Sequence, residues 1–179
     1  MDSRNLLERF DLFLEERGVG FEAIVVGGAA LNLLGVVSRA TKDCDVLDPE
    51  IPPAVATAAR AFAAEVRKSG ETLQDDWLNN GPRSLAVDLP PEWREQIRPI
   101  FVGKKLRLQT LGRKDLLRVK LFALCDRGID LGDCLALAPT EEELALVRPW
   151  IEQRDAHPDW PKHVHSTLAS LAKKLGHRV

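Results

Sequence analysis

Tyrosine is absent from the sequence, so chemistry that modifies a tyrosyl hydroxyl cannot act on this chain itself. Cysteine is scarce. Cys44, Cys125 and Cys134 are odd in number and lack the paired spacing of a zinc site, which reads as reduced thiols in a cytosolic protein. No stretch approaches the roughly 18 consecutive apolar residues of a bilayer span. No apolar run follows a basic N-terminus, so neither a membrane anchor nor a secretory leader is expected. An excess of one charge sign is missing too: 25 Lys and Arg stand against 27 Asp and Glu, a net charge of −2. No global basic field therefore points to nucleic acid, although a local patch could still do so. Internal repeats and low-complexity tracts are also lacking.

What is present is ordinary globular material. The 179 residues are 45% hydrophobic and 29% charged, enough for one domain with a core, or for a small α/β unit with a helical appendage. Leu6, Leu7, Phe10, Phe13 and Leu14 fall at helical spacing after Asp2 or Ser3 as candidate caps, and Gly18 and Gly20 end that helix. The apolar run within 21–26 predicts a central strand buried on both faces. Short helical spacing follows at 29–34, then a strand over 43–47, closed by Pro49, Pro52 and Pro53. Pro53 followed by an alanine-rich stretch predicts a helix to Lys68.

Residues 71–82 are polar and turn-rich. The alternation in 84–89 (SLAVDL) predicts a third strand, 92–97 a helical turn, and 99–102 with 105–109 a hairpin across Gly103-Lys104. From residue 112 onward the periodicity is helical: 114–126, 130–138, 141–153 and 160–174. Thr140 with Glu143 forms a capping-box pattern. The expected architecture is an α/β (α+β) core over 1–111, a mixed sheet flanked by helices, followed by a helical C-terminal region over 112–179.

The chemistry-bearing stretch is Ile24 to Asp48, IVVGGAALNLLGVVSRATKDCDVLD. Asp43 and Asp45 are two apart on the expected strand and share one face, with Cα atoms about 6–7 Å apart. Such a pair can converge on one hard cation such as Mg²⁺, which takes one or two carboxylates together with substrate phosphates. Upstream, Gly27-Gly28 ends an apolar strand and opens a helix. Glycine permits close backbone approach, and free N–H groups there could face an anion. Taken singly, a Gly-Gly is a tight turn and an Asp-x-Asp a solvated strand edge. The ordered combination is the signal.

That order resembles the polymerase-β-type nucleotidyltransferase superfamily. There a strand ends in Gly-Gly or Gly-Ser, a helix follows, and the next strand carries Asp-x-Asp or Asp-x-Glu. Arg39, Thr41, Lys42, Asp43 and Asp45 further resemble the R-x-T-x-D-x-D form of abortive-infection and toxin–antitoxin members. Many catalytic members carry serine where this chain has Gly28. The resemblance implies a nucleotidyltransferase fold, Mg²⁺ or Mn²⁺ held by Asp43 and Asp45, an NTP substrate cradled at Gly27 and Gly28, and nucleotide contacts from Arg39, Thr41 and Lys42. Two carboxylates position metals in such transfers, and a third from a later strand can help activate the attacking hydroxyl. Asp88, in the stretch read as a third strand, is the best placed, with Asp75 and Asp76 as rivals in a loop.

A second constellation lies in LLRVKLFALCDRGIDLGDCL, residues 116–135. Lys120, Ala123 and Arg127 share one helix face, and Asp130 and Asp133 open the next helix. The segment resembles the downstream K-x-x-A…R-x-x-D-x-x-D part of the toxin-like members. The resemblance implies that Lys120 contacts the nucleotide phosphates and that Asp130 or Asp133 lies near the site or orients Lys120 and Arg127. The plain alternative is a salt-bridge network joining two helices.

Other groups are weaker. His163 and His165, two apart, point to different helix faces and read as surface. Lys104, Lys105, Arg107, Arg113, Lys114 and Arg118 form a basic run that could attract RNA or triphosphate or simply be a solvated face. Trp77, Trp93, Trp150 and Trp160 read as packing anchors.

The sequence reading is thus a Mg-dependent transfer of an NMP from an NTP to a hydroxyl of RNA, protein or a small molecule. By resemblance it belongs to a toxin with an antitoxin partner, or to phage defence, in the cytoplasm and without a membrane. Two alternatives predict different behaviour: a catalytically degenerate nucleotide- or protein-binding module on the same fold, and a purely structural α/β protein.

Overall fold

The computed structural model of the chain describes residues 3–39, 41 and 43–177. Asp2, one of the two candidate caps, lies outside them. The backbone divides into two compact units, Met1–Gly112 and Arg113–Val179.

The first unit runs α1 (Ser3–Glu16), β1 (Phe21–Val26), α2 (Gly27–Leu33), β2 (Cys44–Asp48), α3 (Pro53–Lys68), β3 (Leu78–Asn79), α4 (Leu85–Asp88), a 3₁₀ helix (Pro91–Gln96), β4 (Arg98–Val102) and β5 (Leu106–Thr110). Among the described residues its strands form one five-stranded mixed sheet in the order β3-β2-β1-β5-β4. β1 is antiparallel to β2 and parallel to β5, β3 is parallel to β2, and β4 is antiparallel to β5. β1 therefore sits at the centre, which is where a strand with so few polar side chains is stable.

Side-chain parity decides which face becomes core. Phe21, Ala23 and Val25 of β1, Cys44 and Val46 of β2, and Leu106 and Leu108 of β5 pack with the apolar stripes of α1 and α3. Phe10, Phe62 and Trp77 meet there with ring centroids 5.0 to 5.9 Å apart, and the Trp77 indole N–H donates to the Ala59 carbonyl at 3.1 Å. α1 is pinned at its polar edge by Asp11. Its buried carboxylate accepts the backbone N–H groups of Lys104, Lys105 and Leu106 at 2.7 to 2.9 Å, in the β4–β5 turn.

The strand expected over 84–89 is instead α4. Leu85 and Leu89 are four apart, and the Leu89 N–H bonds the Leu85 carbonyl at 3.0 Å. The same apolar positions that alternate in the sequence also suit one helical turn. The third strand lies earlier, in the stretch that reads as polar and turn-rich. Burial of Trp77 and Leu78 brings the chain alongside β2, where the Cys44 N–H reaches the Trp77 carbonyl at 2.6 Å.

The second unit holds α5 (Arg113–Arg127), α6 (Leu131–Leu137), α7 (Glu141–Glu152) and α8 (Trp160–Lys174). Phe122 stands edge-on to Trp150 and Trp160. The capping box forms: Thr140 accepts the Glu143 N–H at 3.1 Å, and Glu143 accepts the Thr140 N–H at 3.0 Å. No helix of the described residues is long and apolar enough to cross a membrane.

Candidate functional site

Register places the first motif. Val25 pairs with Val46 and Val26 with Asp45. Val46 faces the α1–α3 core, so Asp45 projects from the opposite face of the sheet. Cys44, between the two carboxylates, points into the core. Burial, together with the neighbouring Asp45 charge, pushes its thiol up to about 12, so it stays a protonated, apolar filler. Asp43 lies one residue before β2 and is exposed, whereas Asp45 is half-buried.

Gly27 is fitted to Asp45 on two counts. Its φ is +75°, in the left-handed region, and a Cβ built on it would overlap Asp45 Oδ2. Glycine alone removes both penalties. Gly28 differs: its φ is not positive, and a Cβ there would lie 3.3 and 3.4 Å from the Arg39 guanidinium nitrogens and 3.5 Å from Thr41 Cβ. Val37, Arg39 and Thr41 are clipped onto the neighbouring helices. Asn32 Nδ2 donates to the carbonyls of Val37 at 3.2 Å and Arg39 at 3.1 Å, and Ser3 Oγ donates to the Thr41 carbonyl at 3.3 Å. The Asp43 N–H in turn reaches Thr41 Oγ1 at 3.4 Å. A cavity of about 350 Å³ opens at this loop, lined by Arg4, Asn32, Leu33, Gly35, Val37 and Ser38. Lys42 lies outside the described residues.

Asn79 is a site residue that sequence reasoning missed. It pairs with Asp45 across β2 and β3, and its Nδ2 donates to Asp45 Oδ1 at 3.1 Å while its Oδ1 accepts the Gly81 N–H at 2.8 Å. The second bond fixes which way the amide faces, so Asp45 receives a donor held in place. Asn80 ties the same loop to β2's exit through the carbonyls of Val46 and Pro49 and the N–H of Ile51. The available signal was the Asn-Asn-Gly run directly after two apolar residues.

Asp88, expected on a strand, ends α4 and is exposed. α4 packs against β2, but the strand alternation that singled Asp88 out does not exist. Of its rivals, Asp75 pairs with Arg67 at 2.7 Å and Asp76 is exposed. The position on the strand beside Asp45 belongs to an amide.

Within the second unit, Lys120 is buried, and its ammonium donates to Asp130 at 3.0 Å and Asp133 at 2.7 Å. Asp133 is 2% exposed. Asp130 holds a left-handed backbone, φ 68°, at the start of α6. The structure thus brings Lys120, Asp130 and Asp133 together as an ion-pair cluster joining α5 to α6. Arg127 is exposed and faces Asp126 at 3.8 Å.

The basic run is partly committed to pairs: Lys104 with Glu15, Arg113 with Glu143, and Arg118 with Asp115 at 2.5 Å in a buried setting. His163 and His165 are exposed, and His163 donates from Nε2 to the Cys125 carbonyl at 2.8 Å.

Among the described residues no group of three or more His, Cys, Asp and Glu converges as a metal cage. The donors offered by the first motif are two hard carboxylates on a half-open strand end. That set fits Mg²⁺ or Mn²⁺ shared with a phosphate-bearing ligand rather than a cation enclosed by protein.

No curated protein and no solved structure matches the chain. Residues 4–135, which contain the Gly-Gly turn, both carboxylates of the first motif and the Lys120 cluster, match the family model described as a nucleotidyltransferase of unknown function (DUF6036), and the chain belongs to that family.

Proposed function

We propose that the chain is a Mg²⁺-dependent nucleotidyltransferase that moves an NMP from an NTP to a hydroxyl of RNA, protein or a small molecule. The observation that carries this reading is the fit of Gly27 against Asp45. Glycine at position 27 lets the Asp45 carboxylate close against the turn between β1 and α2, in a chain of a nucleotidyltransferase family. Asp43 and Asp45 would hold the metal, which when bound neutralises charge on the phosphates. Asn79 keeps one Asp45 oxygen oriented, and by resemblance Gly27 and Gly28 would cradle the phosphates. In the transfer the acceptor oxygen forms a bond to the α-phosphorus, the α–β phosphoanhydride bond breaks, and pyrophosphate leaves. The hydroxyl proton passes to a base, a role in which Asp88 remains our candidate. The biological setting we propose is a toxin paired with an antitoxin, or phage defence.

Calorimetry with each NTP, with and without Mg²⁺, tests the reading. Binding that needs the metal and disappears in Asp43→Ala/Asp45→Ala supports it, and labelled NTP then identifies the acceptor. Binding by that double variant equal to wild type would remove both residues from the metal role. A second reading is favoured by Asn79: an amide in place of a carboxylate beside Asp45 suits a module that binds nucleotide without turnover. That reading expects metal-dependent binding with no pyrophosphate release.

A further inference from the structure

We infer that the groove between α7 and α8 is a binding site for a small amphiphilic monoanion, a carboxylate on an apolar chain, whose head is received by Arg148 and His165. The groove is lined by residues within 141–177, beyond the 4–135 matched by the family model, so the inference stands apart from the nucleotidyltransferase reading. The two helices run antiparallel. Trp160, at the start of α8, donates from Nε1 to the Ile151 carbonyl near the end of α7 at 2.9 Å. His177, just past α8, stands 4.0 Å from Glu141 at the start of α7. Between the helices opens a cavity of about 270 Å³, at the small end for a ligand site.

The floor of the cavity is apolar, with Leu144 and Leu168 buried. Ala145, Ala169 and Ala172 also line it, and side chains that end at Cβ leave the space between the helices unfilled. The polar groups stand at its two ends. Arg148 and His165 mark one end and Glu141 with His177 the other, about 10 Å away at 1.5 Å per residue of α7. At the first end the donors are unspent. Arg148 Nε is buried without a hydrogen-bond partner. Glu152 Oε1, one turn along the same helix, lies 3.5 Å from it, near enough for an ion pair but out of line for a hydrogen bond. The Arg148 side chain is 44% exposed, so a ligand can reach it, and the exposed His165 adds a ring N–H. A buried N–H without an acceptor is costly, and a carboxylate laid in the groove would satisfy it with a charge-assisted bond. At the second end Glu141 repels another negative group. The groove therefore selects one anionic head on an apolar body and disfavours a dicarboxylate.

The test is calorimetry on the full chain with octanoate, octanol and suberate, using wild type, Arg148→Met, Ala169→Leu and Glu141→Gln. Octanoate should bind the wild type more tightly than octanol or suberate does. Arg148→Met keeps the apolar stem and should weaken octanoate about 10- to 100-fold, the range of a lost hydrogen bond to a charged group, while leaving octanol unchanged. Ala169→Leu fills the cavity and should remove binding of all three. Glu141→Gln should narrow the gap between suberate and octanoate. Wild-type affinity for octanoate in Arg148→Met or in Ala169→Leu would overturn the inference, as would no octanoate binding by the wild type. Sedimentation that shows a dimer dissociated by octanoate would give the groove to a second copy of the chain and overturn it too. Should Ala169→Leu fail to fold, Arg148→Met and the comparison of the three probes decide alone.

Discussion

Single residues in this protein carry charge into places where only one partner set satisfies it. Asp11 is the plainest case. Burial raises its pKa, but the three backbone N–H groups of the β4–β5 turn outweigh that, and the carboxyl ends below its ordinary value. Because the folded value is depressed, the stabilisation is fully present above the unfolded value, about 3.9. It is lost as pH falls through the folded value. Urea melts of wild type and Asp11→Asn should therefore differ by a constant amount above about pH 5 and converge in stronger acid. Lys120 poses the opposite problem. Its two carboxylates leave Asp133 buried and dependent on the ammonium. Lys120→Ala is expected to destabilise by about 3–5 kcal/mol, the range for breaking a buried pair on one side, and chemical denaturation measures it. A change far smaller would mean that the second unit does not need the pair and would leave ligand binding as its role. Gly27→Ala adds left-handed strain of about 1–2 kcal/mol and a collision with Asp45. It should abolish metal-dependent NTP binding even where circular dichroism shows the fold retained.

Elements are decided by who their neighbours are. β3 is only two residues long, yet it sets the electrostatic surroundings of Asp45 by laying Asn79 beside it. Asn79→Ala should lower Mg·NTP affinity about tenfold, as for other groups that orient a ligating side chain, with little change in fold. Calorimetry checks it, and an unchanged affinity would detach β3 from the site. α7 shows the contrasting local logic. Thr140 and Glu143 satisfy each other's backbone donors, and Arg113 holds the Glu143 carboxyl below its ordinary value through a hydrogen bond. Thr140→Ala is expected to cost about 1 kcal/mol, measurable by thermal melting. The pattern was readable without a fold because a cap involves residues three apart. Asn79 was not, because its partner is 34 residues away.

At the scale of the whole chain, a net charge of −2 gives no long-range attraction for polyanions. On the proposed reading, nucleotide capture would depend on local groups such as the carboxylates of the first motif. Any ligand that binds only the folded chain stabilises it by mass action, about 2.7 kcal/mol at a concentration one hundred times its dissociation constant. A saturating Mg·NTP should therefore raise the melting temperature, and EDTA should remove the increase. The two compact units, each with its own aromatic cluster, give the chain more than one place to unfold. Whether the transition is single is read from the same melt.

Much of the architecture follows from short-range patterns. The stripe of α1, the apolar run of β1, Pro53 at the start of α3, the β4–β5 hairpin and the helical spacing after residue 112 all involve neighbours within a turn or a strand pair. Covalent connectivity already brings those residues close, so sequence alone determines them. The Gly27-Gly28 and Asp43-x-Asp45 motif was legible for the same reason, a fixed spacing on adjacent elements. The tertiary structure decided what depends on residues distant in the chain. It made SLAVDL a helical turn, chose Leu78-Asn79 as the strand beside Asp45, and satisfied Lys120 with two carboxylates. It also filled the space above Gly28 with Arg39. Each of those outcomes turns on burial and on pairing across the fold, and neither is encoded in the spacing of neighbours.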